Sequence, residues 1–358
     1  MTGYEYGNAR LHAMKSRLLS TKEMESMVQA GSVQGLIAAL TKTSYRKSIE
    51  TALARSSGID CVTEALHYDL TDTLGKIRSF YTQQPGDMVA LALRAYDIHN
   101  LKAIFRGLSK NAPASEILAT LLPVGELKFP LLVELANASD VRAAIDVLAS
   151  LILPFAHPLL NIRAAHPGAD EFEMELALDQ WYYAEIQHRL QKKSIGRDIL
   201  AAFFDLEADL ANLLTVLRFM HAPVELTFLR EHTGSESLTS LFVGPGRLKI
   251  DVLGRVSAQD SLESAIDALE GTPYAAALQA GLAAFKRSGQ LSDFEKSLRR
   301  YRLEWLAQLF RKDALGIGVV LGYIGLKINE VNNLSWIAHG VNMGLKPDAV
   351  RANVEWIG

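Results

Sequence analysis

Apolar residues recur at intervals of three and four along most of the chain, which is the spacing of one helical face. Leu11, Met14 and Leu18 show this spacing near the start. Alternating patterns flanked by turn residues, which would indicate strands, are scarce. Short breaks containing Gly or Pro interrupt the helical pattern, at residues 82–87, 166–170, 243–246 and 344–348. The pattern therefore predicts an all-α protein.

Two patterns occur three times each along the chain. The first opens with small or polar residues and continues into an apolar helical stretch: AGSVQGLIAAL (30–40), ASDVRAAIDVL (138–148) and QDSLESAIDAL (259–269). The second has the form acid-x-x-Asn-Leu-x-x-(Ile/Val)-x-(Arg/His): DIHNLKAIFR (97–106), DLANLLTVLR (209–218) and EVNNLSWIAH (330–339). Both recur at offsets of roughly 110–120 residues, which is a usual domain size.

A third pattern lies between these two and begins a long amphipathic stretch each time. Its aligned positions are Leu66, Leu178 and Leu298. Three patterns that keep their order three times indicate internal duplication rather than a short solenoid repeat. The sequence therefore predicts three homologous helical units, at residues 1–124, 125–245 and 246–358. The sequence leaves open whether these units exchange their terminal helices.

The acid and the asparagine of the second pattern lie within the apolar arc of a helical wheel drawn at about 100° per residue. Buried polar groups are costly unless they are hydrogen-bonded. We therefore interpret six residues as structural polar pairs: Asp97, Asn100, Asp209, Asn212, Glu330 and Asn333. The last position of the pattern falls on the opposite face, facing solvent or a partner: Arg106, Arg218 and His339.

A metal site at the polar pairs is poorly supported, since oxygen-type metals require several carboxylates together and each unit offers one. The chain also lacks the phosphate-binding motif G-x-x-x-x-G-K-[ST], H-E-x-x-H and G-x-S-x-G. The sequence GPGR (244–247) is better interpreted as a turn. We therefore predict no catalytic residue, no metal and no cofactor.

Composition narrows the possible classes of protein further. The chain has 358 residues, is 49% hydrophobic and has a formal net charge of −3, which gives no reason to expect a nucleic-acid partner. Cys61 is the single cysteine, so an internal disulfide and a cysteine zinc site are excluded. The longest apolar stretch, residues 314–326, is shorter than the roughly 20 residues that a bilayer span requires. The first residues have no signal-peptide core.

Four stretches resemble the C subunit of the archaeal and bacterial V/A-type rotary ATPases, a relative of the d subunit of the vacuolar ATPase. They are YGNARLHAMKSRLLS (6–20), DIHNLKAIFRG (97–107), ELALDQWYY (175–183) and NEVNNLSWIAHGVNMGLKPDAV (329–350). The resemblance runs over essentially the full chain. It implies three similar helical domains arranged as a funnel, in agreement with the threefold repeat.

The resemblance also implies a mechanical function. Proteins of that family are non-catalytic and sit, as peripheral proteins, on the cytoplasmic face of the membrane proteolipid ring. They receive the foot of the central shaft and couple its rotation to the ring for ion transport, while ATP is bound elsewhere. The implied partners are the shaft subunits and the proteolipid ring, with no direct nucleotide binding.

Two other classes of function remain open from the residues alone. A general helical scaffold for another protein would share the repeats without requiring a membrane partner. A hydrolase or lyase that uses scattered Asp, His and Arg would need one accessible cleft with converging titratable groups.

Overall fold

The computed structural model describes residues 3–222 and 226–357. All regular secondary structure in these residues is helical. The all-α prediction is therefore confirmed.

Helices follow one another with short connections. The first ten are α1 (Glu5–Lys15), α2 (Thr21–Val28), α3 (Val33–Leu40), α4 (Arg46–Leu53), α5 (Gly58–Ser79), α6 (Gln83–Leu93), α7 (Ala95–Ser109), α8 (Ala114–Ala119), α9 (Phe129–Ala136) and α10 (Val141–Ser150). The next ten are α11 (Ala156–Ala165), α12 (Glu171–Arg189), α13 (Arg197–His221), α14 (Leu226–Thr233), α15 (Ile250–Ser257), α16 (Leu262–Asp267), α17 (Ala275–Ser288), α18 (Ser292–Lys312), α19 (Gly318–Asn342) and α20 (Pro347–Arg351). A short 3-10 helix, Leu238–Leu241, lies between α14 and α15.

The helices form two compact units. One contains Met1–Ala92 together with Leu303–Gly358, and the other contains Leu93–Arg302. In the first unit the long helices α5 and α19 pack against each other, with Tyr45, Leu74 and Leu334 fully buried. In the second unit α11 and α12 pack together around Phe155 and Leu178, which are also fully buried. This division into two compact units does not test the three repeat units predicted from the sequence. They stay a prediction that rests on the order of the motifs along the chain.

Each copy of the first pattern places a capping residue before a helix. Ser32, Asp140 and Ser261 precede α3, α10 and α16. In each case the side chain accepts a hydrogen bond from a backbone N–H of the first turn, at 2.8 to 3.1 Å. Such caps satisfy donors that have no partner inside the helix and contribute about 1 kcal/mol each. The small or polar openings of the pattern therefore define where these helices begin.

The second pattern lies on the long helices that follow. The copies at 209–218 and 330–339 lie within α13 and α19, which are 25 residues each. The copy at 97–106 lies within α7, which is preceded by α6 with a one-residue interruption at Arg94. None of the helices in the described part of the chain has the length and hydropathy of a membrane span.

Candidate functional site

The acid and the asparagine of each second-pattern copy bind backbone that lies far away along the chain. We call these contact sets seam 1 (Asp97, Asn100), seam 2 (Asp209, Asn212) and seam 3 (Glu330, Asn333). All six side chains are at most 6% exposed. Since buried carboxylates and amides require hydrogen-bonding partners, the geometry of the three seams shows how the fold satisfies them.

In seam 1 both residues bind the segment that leads into α9. The Asp97 carboxylate accepts hydrogen bonds from the backbone N–H groups of Glu126 (2.8 Å) and Leu127 (2.9 Å). The Asn100 amide donates to the carbonyl of Leu122 and accepts from its N–H, both at 2.8 Å. The Asn100 amide thus satisfies both backbone hydrogen-bonding groups of Leu122.

Seam 2 repeats this arrangement. Asp209 accepts from the N–H groups of Arg247 and Leu248, each at 3.1 Å. Asn212 donates to the Gly244 carbonyl at 2.8 Å and accepts from the neighbouring N–H of Val243 at 3.0 Å. In addition, the Tyr274 hydroxyl donates to the Asp209 carboxylate at 2.6 Å.

Seam 3 uses the same roles but joins the two ends of the chain. Glu330 accepts from the N–H of Leu19 and from the Tyr45 hydroxyl, the latter at 2.8 Å. Asn333 donates to the Glu355 carbonyl at 3.1 Å and accepts from its N–H at 2.9 Å. Leu19, Leu127 and Leu248 occupy one position of the repeat predicted from the sequence, so the three acids bind backbone at corresponding positions of that predicted repeat.

The difference between Asp and Glu at these positions has a steric cause. A Cβ atom on Gly125 would lie 2.2 Å from Asp97 Oδ1, and one on Gly246 would lie 2.3 Å from Asp209 Oδ1. Only a glycine permits an aspartate to approach so closely. The corresponding position of seam 3 is Arg17, and there the acid is a glutamate, whose extra methylene lets the carboxylate reach the backbone from farther away.

A buried lysine completes seam 3. Lys327 is 4% exposed and its Nζ lies 2.9 Å from Glu330 Oε1 and 2.8 Å from Asp69 Oδ2. It also donates to the Tyr45 hydroxyl at 2.7 Å. Two carboxylates therefore share one buried cation, a grouping that is stable only while all of its members are present.

At seam 1, Arg94 stands three residues before Asp97, as Lys327 stands three before Glu330, and it is fully buried. Its guanidinium nitrogens lie 3.6 Å from carboxylate oxygens of Glu126 and Glu185. The guanidinium carbon is 5.0 Å from the ring centre of Phe155 and 5.2 Å from that of Trp181. Burial lowers the pKa of Arg94, and the two carboxylates oppose this. Cation–π contact with two rings helps to offset the lost hydration.

Burial also affects the acids of seams 1 and 2. Desolvation raises the pKa of Asp97 to about 6, although the N–H groups of Glu126 and Leu127 oppose the shift. Desolvation likewise raises the pKa of Asp209 to about 6, against the hydrogen bond from Tyr274. These are properties of carboxylates that hold helices together away from water.

The three outward-facing residues are exposed, as the helical wheel predicts. Arg106 forms a bidentate pair with Glu175, with both N–O distances 2.5 Å. Arg218 pairs with Glu295 at 2.6 Å. His339 forms no ion pair with any residue that the structure describes. Whether a partner protein contacts these three positions stays a prediction.

Four contributors to the seams were not found from the sequence: the tyrosines Tyr45 and Tyr274, and the buried cations Arg94 and Lys327. Spacing would have given a signal for both cations, because Arg94 and Lys327 each stand three residues before the acid of the second pattern. Within residues 3–222 and 226–357, His, Cys, Asp and Glu do not gather in a group of three or more suited to a metal ion.

Comparison with known proteins identifies the kind of molecule that carries these seams. Residues 7–353 match the family model described as ATP synthase (C/AC39) subunit. This match covers nearly the whole chain and places it among the components of rotary ATP synthases. The chain belongs to the ATP synthase (C/AC39) subunit family and is non-catalytic. The family resemblance stated from the sequence is confirmed, and it decides against a hydrolase or lyase.

Curated relatives agree with the family model. A protein of Methanosarcina acetivorans is 29% identical over 353 residues, covering 98% of this chain and 92% of the relative. One of Halobacterium salinarum is 28% identical over 359 residues, covering 98% and 97%. One of Methanocaldococcus jannaschii is 25% identical over 351 residues, covering 98% and 85%. Each of the three is named as the C subunit of an A-type ATP synthase.

Proposed function

We propose that this chain is a central-stalk component that acts as a socket between the rotating shaft and the membrane proteolipid ring. In this role it lies as a peripheral protein on the cytoplasmic face of the membrane and couples shaft rotation to ion transport. The observation that carries the proposal is the family match over residues 7–353. The names of the relatives, which are C subunits of A-type ATP synthases, support it.

The seams support a mechanical role because a coupler must transmit torque without deforming. A buried acid that accepts two or more hydrogen bonds is satisfied in one helix register, and a shift of either partner leaves it unpaired. Each seam joins a long helix to backbone outside that helix, in addition to apolar packing. Because each contact resists a shift of its helix relative to the bound backbone, polar contacts of this kind stiffen a helical protein.

We also propose that residues 1–124, 125–245 and 246–358 are three copies of one ancestral unit. The recurrence of the same acid and amide contacts at seams 1, 2 and 3 supports this proposal, and so does the recurrence of the helix caps. A three-domain funnel would follow if the copies are arranged around an axis. Superposition of the three units in a structure of the assembled complex would overturn it if Asn100, Asn212 and Asn333 fell at unrelated points of their units.

The coupling role can be tested by reassembling the rotary complex with and without this chain. We expect the complex that lacks the chain to hydrolyse ATP but to lose ATP-driven ion transport, and addition of the chain to restore transport. Capture of a tagged chain from membranes should recover the shaft subunits and the proteolipid. Ion transport that persists without the chain, or capture of a different protein with no proteolipid, would instead favour a general scaffold.

A further inference from the structure

An uncharged loop of the second compact unit exposes apolar side chains. We call residues 151–154, which connect α10 to α11, the knob. Leu151 is 52% exposed and Ile152 is 91% exposed. Ile152 also has a φ of +53°, a left-handed conformation that is rare for a β-branched residue. An exposed side chain in a strained conformation does not stabilise the fold, so its presence points to a function.

The knob is longer than the corresponding connections of the chain. Six residues, 149–154, separate the final leucine of this copy of the first pattern from the residue that precedes the next helix. In the other two copies four residues make the connection, at 41–44 and 270–273. Neither of these shorter connections contains a large apolar residue. The exposed apolar side chains are therefore an addition at one of the three connections.

A basic turn follows α12, the helix that packs against α11. Residues 189–197, RLQKKSIGR, contain four basic side chains and no acid, and we call them the tip. Lys192 and Lys193 are exposed and form no ion pair with any residue in the described ranges. Ile195, in the same turn, is 45% exposed. The tip thus combines free positive charge with an apolar side chain.

The acids nearest to the tip are already paired. Glu185 binds Arg189 at 2.6 Å, and Asp198 binds Arg197 at 2.8 Å. The next acid along α13 is Asp205, about two turns beyond Arg197. The two lysines therefore leave the tip with a local positive charge, although the whole chain has a formal net charge of −3.

The knob and the tip lie toward the same end of the second unit. The ring of Phe155, which directly follows the knob, contacts the ring of Trp181 on α12, with 5.5 Å between ring centres. Since a short turn joins α11 to α12 and the two helices pack together, they run in opposite directions. Residues before α11 therefore extend toward the C-terminal end of α12. About 12 Å of helix separates Trp181 from Arg189, where the tip begins.

We propose that the knob and the tip together bind the surface of a membrane that contains anionic lipids. Lys192 and Lys193 pair with lipid phosphates, while Leu151, Ile152 and Ile195 insert between the headgroups. Anionic membranes attract basic segments, and an apolar contact is the second signal that makes such an attachment stable. An acidic protein would match the lysines but would leave the uncharged knob unexplained. The inference rests on the proposed peripheral location and adds a direct lipid contact to it.

Flotation of the full chain with lipid vesicles tests this contact. One set of vesicles is phosphatidylcholine alone, and the other is phosphatidylcholine mixed in equal parts with phosphatidylglycerol. At low salt we expect the chain to bind the anionic vesicles at least about tenfold more tightly than the neutral ones. Added salt should weaken this binding, because it screens the attraction between exposed charges.

Charge variants test the tip. Lys192→Gln combined with Lys193→Gln should weaken binding to anionic vesicles by about tenfold or more, since each lysine near the surface contributes roughly fivefold. The matched control is Lys110→Gln combined with Arg142→Gln, which removes the same charge from exposed positions. Arg142 lines a cavity with the turn that precedes α12, and Lys110 follows another residue of that lining. These positions lie at the opposite end of α12, so the control should bind within about twofold of wild type.

Ile152→Gly separates binding from folding. Glycine adopts a positive φ without strain, so this variant should keep or raise the melting temperature. Its binding to anionic vesicles should nevertheless weaken by about fivefold or more, because the inserted side chain is lost. Lower stability together with unchanged binding would show that the knob serves only the fold, and would overturn the proposal.

Other results would also overturn it. These are the absence of flotation with anionic vesicles, and equal weakening by the tip variant and its control. Phosphate that displaces the chain more effectively than chloride at equal ionic strength would show a simple anion site. Poly-glutamate that binds as tightly as the vesicles, with no effect of Ile152→Gly, would indicate an acidic protein partner.

The vesicle assay uses the isolated chain, so its outcome is separate from that of the coupling experiment. A chain that restores ion transport in the reassembled complex but does not float with anionic vesicles would overturn the lipid contact alone. A chain that floats but does not restore transport would overturn the coupling role alone.

Discussion

Replacement of Asn333 by leucine tests whether a seam amide is structural. The side chain is 6% exposed and makes two hydrogen bonds, both with the backbone of Glu355. In the variant the Glu355 carbonyl keeps a donor, because the Asn329 amide reaches it at 3.0 Å. The buried N–H of Glu355 loses its acceptor. One unsatisfied buried donor costs about 1–3 kcal/mol, and we expect the free energy of unfolding to fall by about this amount.

The measurement is a melting curve, for which each kcal/mol corresponds to roughly 2–4 °C in a unit of this size. Asn332→Leu is the matched control, because Asn332 is the exposed neighbour on the same helix and its loss should change stability by about 0.5 kcal/mol or less. In a reassembled complex Asn333→Leu should reduce pumping only as far as folded protein is lost. Wild-type melting together with uncoupling of hydrolysis from pumping would refute the structural role and make Asn333 a working contact.

Four further predictions concern the seams and the activity. Gly125→Ala should destabilise the protein by about 1–3 kcal/mol in urea unfolding, because its Cβ would lie 2.2 Å from the carboxylate of Asp97. The control is Gly75→Ala, at a helical position with open space around it, which should stabilise the protein by about 0.5–1 kcal/mol. The raised pKa of Asp97, about 6, means that the folded state holds the proton more tightly than the unfolded state. Its contribution to stability is therefore greatest below about pH 4 and is lost as pH rises through about 6, and Asp97→Asn should flatten that part of the stability–pH profile. Lys327→Met should cost about 3–5 kcal/mol by leaving carboxylates buried without their cation, and adding Glu330→Gln should recover part of the loss. The isolated chain should give no saturable heat with Mg-ATP in a calorimetric titration, since its sequence has no phosphate-binding motif.

The seams differ in one respect between the three predicted repeats. Seams 1 and 2 combine an aspartate with a glycine in the opposing segment, whereas seam 3 combines Glu330 with Arg17. In each seam the length of the acidic side chain matches the space left by the opposing residue. Replacing either residue alone would therefore break the contact between the acid and the backbone. Glu330→Asp, for example, would leave the carboxylate about one methylene short of Leu19.

Local patterns were sufficient to predict the all-α class and to place six polar residues within apolar helical faces. Helical periodicity and capping residues depend on neighbours within one or two turns, so Ser32, Asp140 and Ser261 could be recognised as starting points without any tertiary information. The wheel positions of Asn100 and Asn333 within an apolar arc likewise indicated burial, because the 3.6-residue period assigns each side chain to a face.

The partners of those polar residues depend on how distant segments meet. Asp97 binds backbone about 30 residues farther on, and Glu330 binds backbone near the opposite end of the chain. Helical periodicity carries no information over such separations in sequence. The same applies to Arg94 and Lys327, whose burial is tolerable only because Phe155, Trp181 and Asp69 arrive from other helices. Local order follows from the covalent spacing of side chains, whereas the seams arise from packing that brings distant backbone and charged groups to the buried acids and cations.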